Sequence, residues 1–72
     1  MKNHDLIRMI NQIAGFFEAY PHDEAVRETR NHICAFWEPR MRRQLAAFVH
    51  EGGKGLTPIA REAVVGLEKD AA

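Results

Sequence analysis

The middle of the chain reads Phe36-Trp37-Glu38-Pro39-Arg40-Met41-Arg42-Arg43-Gln44-Leu45. This stretch joins the most apolar local cluster to the densest run of positive charge, with a proline between them. Proline ends a helix that precedes it and is well tolerated at the first position of a new helix, because its missing N–H has no partner there. We therefore expect one helix to end near Trp37 and another to begin at Pro39.

Apolar residues on both sides of this junction recur at steps of three and four, which is the helical period. Before the junction they are Leu6, Met9, Ile10, Ile13, Phe16, Phe17 and Tyr20, then Val26, Thr29, Ile33, Phe36 and Trp37. After it they are Met41, Leu45, Phe48 and Val49, then Ile59, Ala63, Val64 and Leu67. The pattern predicts an all-α protein, a small bundle of about four short helices at roughly 5–20, 23–37, 39–51 and 58–69.

Local signals separate these segments. Pro21 ends the first, and Asn3 or Asp5 is expected to cap its start. The run Gly52-Gly53-Lys54-Gly55 is expected to stop the third segment as a helix cap and turn, and Thr57 is expected to cap the fourth. A phosphate-binding loop is disfavoured there, because that motif needs wider glycine spacing and a Ser or Thr after its lysine.

Composition limits the classes of protein to consider. A chain of 72 residues predicts a single helical domain over 1–72, and its ten basic and ten acidic residues give a formal net charge of zero. No apolar run approaches the roughly 20 residues that span a bilayer, and the N-terminus lacks the layout of a signal peptide. We therefore expect a cytoplasmic protein with no membrane association.

The residues that could carry chemistry do not form a recognisable set. The histidines fall at positions 4, 22, 32 and 50, without the spacing of three or four residues that a helical metal site needs. Cys34 is the single cysteine, which excludes a disulfide within the chain, and a lone cysteine on an apolar helix is expected to be a small buried filler. The sequence predicts no catalytic, cofactor-binding or metal-binding residues.

Three arginines near the start of the third helix need an explanation. Arg40, Arg42 and Arg43 lie where the helix dipole disfavours cations. They could form a solvated face with Glu38 as their local partner, or they could contact a partner protein. A third alternative is a small nucleic-acid-binding helical module that uses the Arg40–Arg43 face, although the balanced net charge disfavours it.

Trp37 beside these arginines has two interpretations. It could close the core, or it could join them as an anchor of an interface, since Trp and Arg are typical of such anchors. The candidate partner-binding residues are Trp37, Arg40, Met41, Arg42 and Arg43.

The same stretch, followed by Gly52-Gly53-Lys54-Gly55-Leu56-Thr57-Pro58, resembles the delta subunit of soluble NAD-dependent formate dehydrogenases. The amphipathic opening, with Asn11-Gln12-Ile13-Ala14, is similar to the opening of that family as well. The resemblance covers nearly the whole chain.

This resemblance implies a non-catalytic accessory subunit of a cytoplasmic bacterial complex, associated with the assembly or stability of that complex. We expect this subunit to dock on the alpha subunit. In such complexes the alpha subunit holds a molybdenum or tungsten bis-MGD centre and Fe–S clusters, whereas the beta and gamma subunits carry FMN, further clusters and the NAD site. The delta subunit has no cofactor of its own. The resemblance leaves open the docking position, the choice of Mo or W, and a role in cofactor insertion or in holding the finished assembly. It also leaves open whether the isolated chain is a monomer or a dimer.

Overall fold

The computed structural model describes residues 2–71, and the side chains of residues 2–67. Its elements are α1 (Asn3–Phe17), α2 (His22–Phe36), α3 (Pro39–His50) and α4 (Pro58–Ala71). The described residues include no strand, so the predicted all-α class and the number of helices are confirmed. The longest of these helices has 15 residues, and none is long and apolar enough to cross a bilayer.

The junction between α2 and α3 lies where the sequence predicts it. Trp37 caps α2, and its backbone N–H donates a hydrogen bond of 2.9 Å to the carbonyl oxygen of Ile33. Trp37 and Glu38 are both extended, as the clash between a proline and the residue before it requires of Glu38. Pro39 then begins α3 at its first position.

The end of α3 is a glycine cap. The N–H of Gly53 donates to the carbonyl oxygen of Phe48 and the N–H of Gly52 to that of Val49, both at 3.0 Å. Both glycines have positive φ, 120° and 62° in chain order, which side chains with a Cβ rarely adopt. These bonds satisfy two carbonyls that the helix end would otherwise leave unpaired, and the predicted glycine cap is confirmed.

The loop before α4 is fastened to α1 by one side chain. Asn11 donates from Nδ2 to the carbonyl oxygen of Gly55 at 2.9 Å, and its Oδ1 accepts from the N–H of Thr57 at 3.1 Å. Thr57 in turn accepts at Oγ1 from the N–H of Ala60 at 3.3 Å, which confirms it as the cap of α4. The amide of Asn11 therefore holds the entry of α4 in a fixed place against α1.

The core lies between α4 and the three helices that it contacts. Its main cluster consists of Leu6, Ile10, Ala14, Ile33, Trp37, Leu45, Ala60, Val64 and Leu67. Small buried residues, including Ala25 and Ala63, lie in α2 and α4, the pair of helices with the most extensive contact. Thr29 is fully buried in α2, and its hydroxyl donates to the carbonyl oxygen of Ala25 at 2.8 Å, so no polar group is left unsatisfied there.

Several expected positions differ from the structure. Phe16 and Phe36 fit the predicted inward stripes but are 76% and 75% exposed, because the neighbouring helices do not cover the edges of those stripes. Cys34, expected as a buried filler, is exposed, since it lies about 100° around the helix from the buried Ile33. The expected capping of α1 by Asn3 or Asp5 is wrong: α1 begins at Asn3, so Lys2 occupies the cap position, and no side chain caps the helix.

Replacing the donor end of the Asn11 amide should destabilise the fold. In Asn11→Asp the acceptor for Thr57 remains, but a carboxylate oxygen faces the carbonyl of Gly55. We expect the free energy of unfolding to fall by about 1–2 kcal/mol, because two hydrogen-bond acceptors would then face each other where the native protein has a hydrogen bond. Urea denaturation at neutral pH measures this. Gln12→Glu, the same change at the exposed neighbouring position, is the matched control and should have little effect.

Alanine in place of two helical glycines, Gly15 and Gly66, should change the free energy of unfolding differently. A Cβ at Gly15 would have nothing within 4 Å, so Gly15→Ala should raise the free energy of unfolding by about 0.5–1 kcal/mol through helix propensity alone. A Cβ at Gly66 would overlap the guanidinium of Arg30, whose Nε lies 3.4 Å from the carbonyl oxygen of Ala63. Gly66→Ala should therefore lack this gain in urea denaturation. Equal gains at both positions would show that Arg30 does not pack on α4.

Candidate docking site

The five candidate partner-binding residues lie together around the α2–α3 junction, but they differ in exposure. Trp37 is 6% exposed and belongs to the core cluster. Met41 and Arg42 are half-buried, whereas Arg40 and Arg43 are exposed. Of the two interpretations of Trp37, core closure is the one that its burial supports.

An open groove of about 660 Å³ lies beside this junction. Its lining residues come from α1, from the end of α2 and from the start of α3: Met9, Gln12, Ile13, Phe16, Phe17, His32, Phe36, Trp37 and Met41. All of them are apolar except Gln12 and His32. Trp37 and Met41 therefore connect the core with the groove, because the same side chains border both.

The two most exposed large apolar side chains of the described residues, Phe16 and Phe36, lie in this groove. Phe16 contacts Phe17 edge to face, with 5.0 Å between the ring centroids. Phe36 packs beside His32, with 4.7 Å between the centroids of the two rings. Large apolar side chains with three quarters of their surface in water are uncommon on a monomer when they share one depression, and such patches mark binding surfaces.

Sequence reasoning missed the phenylalanines as candidate site residues. The available signal was an excess of apolar residues: Phe16 and Phe17 are consecutive, and Phe36 directly precedes Trp37. Consecutive residues are 100° apart around a helix, so one neighbouring helix rarely buries both. Such doublets at the ends of α1 and α2 indicate a surface that this chain alone does not cover.

The three arginines have no carboxylate partner among residues 2–67. The ion pairs within that range join Asp5 to His4 and Arg8, His22 to Glu62, and Glu24 to Arg27. Glu38, expected as the local partner of Arg42, makes no such pair. Its carbonyl oxygen instead accepts from the backbone N–H of Arg42 at 3.1 Å. The stretch from 36 to 45, with three arginines and one glutamate, thus presents an excess of two positive charges.

The arginines of α2 do not extend this positive surface. Arg27 lies 3.8 Å from the carboxylate of Glu24. Arg30 lies against α4, over Gly66 and near the carbonyl oxygen of Ala63. Among the arginines of α2 and α3, therefore, only the three in the first turns of α3 lack a carboxylate or carbonyl partner within residues 2–67. Among the described residues no three His, Cys, Asp or Glu side chains come together in a way that could hold a metal ion.

A small helical domain with an apolar groove and adjacent unpaired arginines has the features of a domain that binds another protein. Residues 5–64 match the family described as NADH-dependant formate dehydrogenase delta subunit FdsD. Because this match covers most of the chain and all the groove-lining residues, the chain belongs to the FdsD family. The resemblance seen in the sequence is thereby confirmed. No curated protein and no solved structure matches the chain.

Alanine substitution of the two adjacent aromatic residues at the junction, Phe36 and Trp37, should lower the free energy of unfolding by very different amounts. Trp37→Ala removes a buried indole, and we expect a loss of about 3–5 kcal/mol in the free energy of unfolding, close to the whole stability of a domain this small. Phe36→Ala removes an exposed ring and should change it by less than about 0.5 kcal/mol. Far-UV circular dichroism with urea denaturation distinguishes the two, and unfolding of both variants would contradict the exposed position of Phe36.

Proposed function

We propose that this chain is a non-catalytic accessory subunit of a cytoplasmic NAD-dependent formate dehydrogenase complex. In this proposal it docks on the cofactor-bearing alpha subunit, within a complex that also contains beta and gamma subunits. The main support is the FdsD family match over residues 5–64. The groove and the adjacent arginines supply a surface on which such docking is physically reasonable.

The docking contact is centred on the start of α3. Arg40, Arg42 and Arg43 offer planar guanidinium groups that bind carboxylates in bidentate fashion, and Met41 offers apolar area between them. Trp37 lies in the core under these contact residues, and its buried indole fixes the positions of α2 and α3 at the groove. In this role it positions the contact residues and makes little direct contact with the partner.

The physical effect of such a subunit follows from mass action. A protein that binds only the folded, assembled form of its partner stabilises that form, by about 2.7 kcal/mol when its free concentration is 100 times the dissociation constant. The effect is reciprocal, so a 72-residue domain with a small core gains stability from the same contact. Support of assembly therefore needs no catalytic group and no cofactor in this chain.

Removal of the three guanidinium groups should weaken the docking without unfolding the chain. We expect Arg40→Ala/Arg42→Ala/Arg43→Ala to reduce co-purification of the alpha subunit about tenfold, the equivalent of about 1.4 kcal/mol. The measurement is pull-down of the tagged chain co-expressed with the other subunits, with circular dichroism to verify its helices. The variant Arg27→Ala/Lys54→Ala, which removes exposed cations elsewhere, is the control.

The alternative function, a nucleic-acid-binding module, predicts a different result from the same protein. The wild-type chain would bind short DNA or RNA at about 50 mM salt, with an affinity that falls steeply as salt increases. Equal recovery of the alpha subunit with the triple variant and the wild type would contradict the assignment of the arginines. Binding to nucleic acid, with no formate dehydrogenase subunit recovered, would replace the proposed function by the alternative.

A further inference from the structure

We infer that the groove between α1, α2 and α3 receives one amphipathic helix of a protein partner, whose apolar ridge fills the groove and whose acidic side chains meet Arg40 and Arg43. This inference rests on the proposed function, which makes that partner a subunit of the formate dehydrogenase complex. It adds a binding surface on α1 and α2 to the contact at α3. It also assigns Phe16 and Phe36, the two most exposed phenylalanines among the described residues, as the anchors.

The polarity of the lining favours a helix as the occupant. Gln12 and His32 are the only polar residues that line the groove. An extended segment would place backbone N–H and C=O groups against an apolar wall with few partners, whereas a helix satisfies these groups internally. Residues 2–71 include no strand whose edge could pair with an extended peptide. Of strand addition and helix-in-groove binding, the second is therefore the mode that this surface favours.

The side chains of the groove are suited to close around a ridge of apolar residues. Met9 and Met41 are half-buried and lie in the lining, and unbranched methionine side chains adapt to the shape of a partner. The rings of Phe16 and Phe36 are three-quarters exposed, so most of their apolar area is still available for burial. Aromatic side chains that become fully desolvated are typical anchors of an interface.

Charge complementarity selects acidic residues on the partner. Arg40 is adjacent in sequence to the groove-lining Met41, and Arg43 follows on the exposed side of the same helix. Neither has a carboxylate partner among residues 2–67. Carboxylates beside the apolar ridge of the incoming helix would form charge-assisted hydrogen bonds with them. Nucleic acid offers negative charge as well, but the formal net charge of zero gives this chain little of the long-range attraction on which phosphate binding depends.

A second copy of this chain fits the groove less well. A two-fold dimer brings the same patch of both copies together, so the excess positive charge at the start of α3 would meet itself. Like charges at an interface oppose association. The occupant with the best complementarity is therefore a different chain, apolar on one face and acidic beside it.

The first test compares groove variants within the co-expressed complex. Phe16→Ala/Phe36→Ala should keep the circular dichroism spectrum of the wild type, because both rings are exposed, and should lower recovery of the partner subunit about tenfold or more. Val65→Ala, an exposed apolar residue outside the groove lining, is its control. Arg40→Glu/Arg43→Glu should also reduce recovery, whereas Arg27→Glu/Lys54→Glu, with the same change in charge, should not.

The second test identifies the occupant directly. With p-benzoylphenylalanine in place of Phe36, irradiation of the purified complex should cross-link the chain to one partner segment, which mass spectrometry of the peptides identifies. We expect a helix with apolar residues at steps of three and four and with neighbouring Asp or Glu. A cross-link to a second copy of this chain, to nucleic acid or to a non-helical segment would overturn the inference.

The results of these tests distinguish the groove inference from the proposed function. If the wild type recovers formate dehydrogenase subunits and Phe16→Ala/Phe36→Ala recovers them equally well, the groove inference fails and the proposed function stands. If the wild type recovers none of them, both fail. Loss of recovery in the phenylalanine variant, with retention in Val65→Ala and a cross-link from position 36 to an acidic amphipathic helix, supports both.

Discussion

Burial of the Trp37 indole is the interaction on which both the bundle and the groove depend. This residue caps α2 through its backbone N–H, and its side chain is enclosed by residues of the core cluster. The same side chain forms part of the groove lining, so the geometry of the groove is set by the packing of the core. The extended pair Trp37 and Glu38, followed by Pro39, keeps α2 and α3 from merging into one helix. The packed indole fixes the helices that form the walls of the groove, and in the proposed docking this preorganisation lowers the entropy lost on association, whereas the methionine side chains of the lining adapt to the partner.

A second constraint is that the chain has more large apolar side chains than its own core can enclose. Small domains bury a smaller fraction of their surface than large ones do, so a chain of 72 residues has limited room inside. Phe16 and Phe36 are left at the surface of one groove instead of being dispersed over the molecule. Concentration in one place is the arrangement that a partner protein can use, because a single contact then covers most of the exposed aromatic area.

The arginines at the start of α3 are a further feature that is unfavourable in the isolated chain. Cations in the first turns of a helix are disfavoured by the dipole, by about 0.3–1 kcal/mol each at an exposed position. Within residues 2–67 no carboxylate offsets this for Arg40, Arg42 or Arg43. In the proposed docking, acidic residues of the partner would offset this unfavourable local placement beside an apolar groove. Because the chain belongs to the FdsD family, the groove and the arginines are features of a formate dehydrogenase delta subunit.

The sequence by itself determined the local features: the break at Pro39, the glycine cap of α3, the Thr57 cap of α4 and the helical period of each apolar stripe. Each depends on residues within one or two turns, where steric and hydrogen-bonding preferences act directly. Only the tertiary structure decided which part of each stripe is covered, and so left Phe16, Phe36 and Cys34 exposed. It alone joined Asn11 to a loop 44–46 residues away. Periodicity gives the direction of a side chain around its own helix, but coverage depends on where the other helices pack.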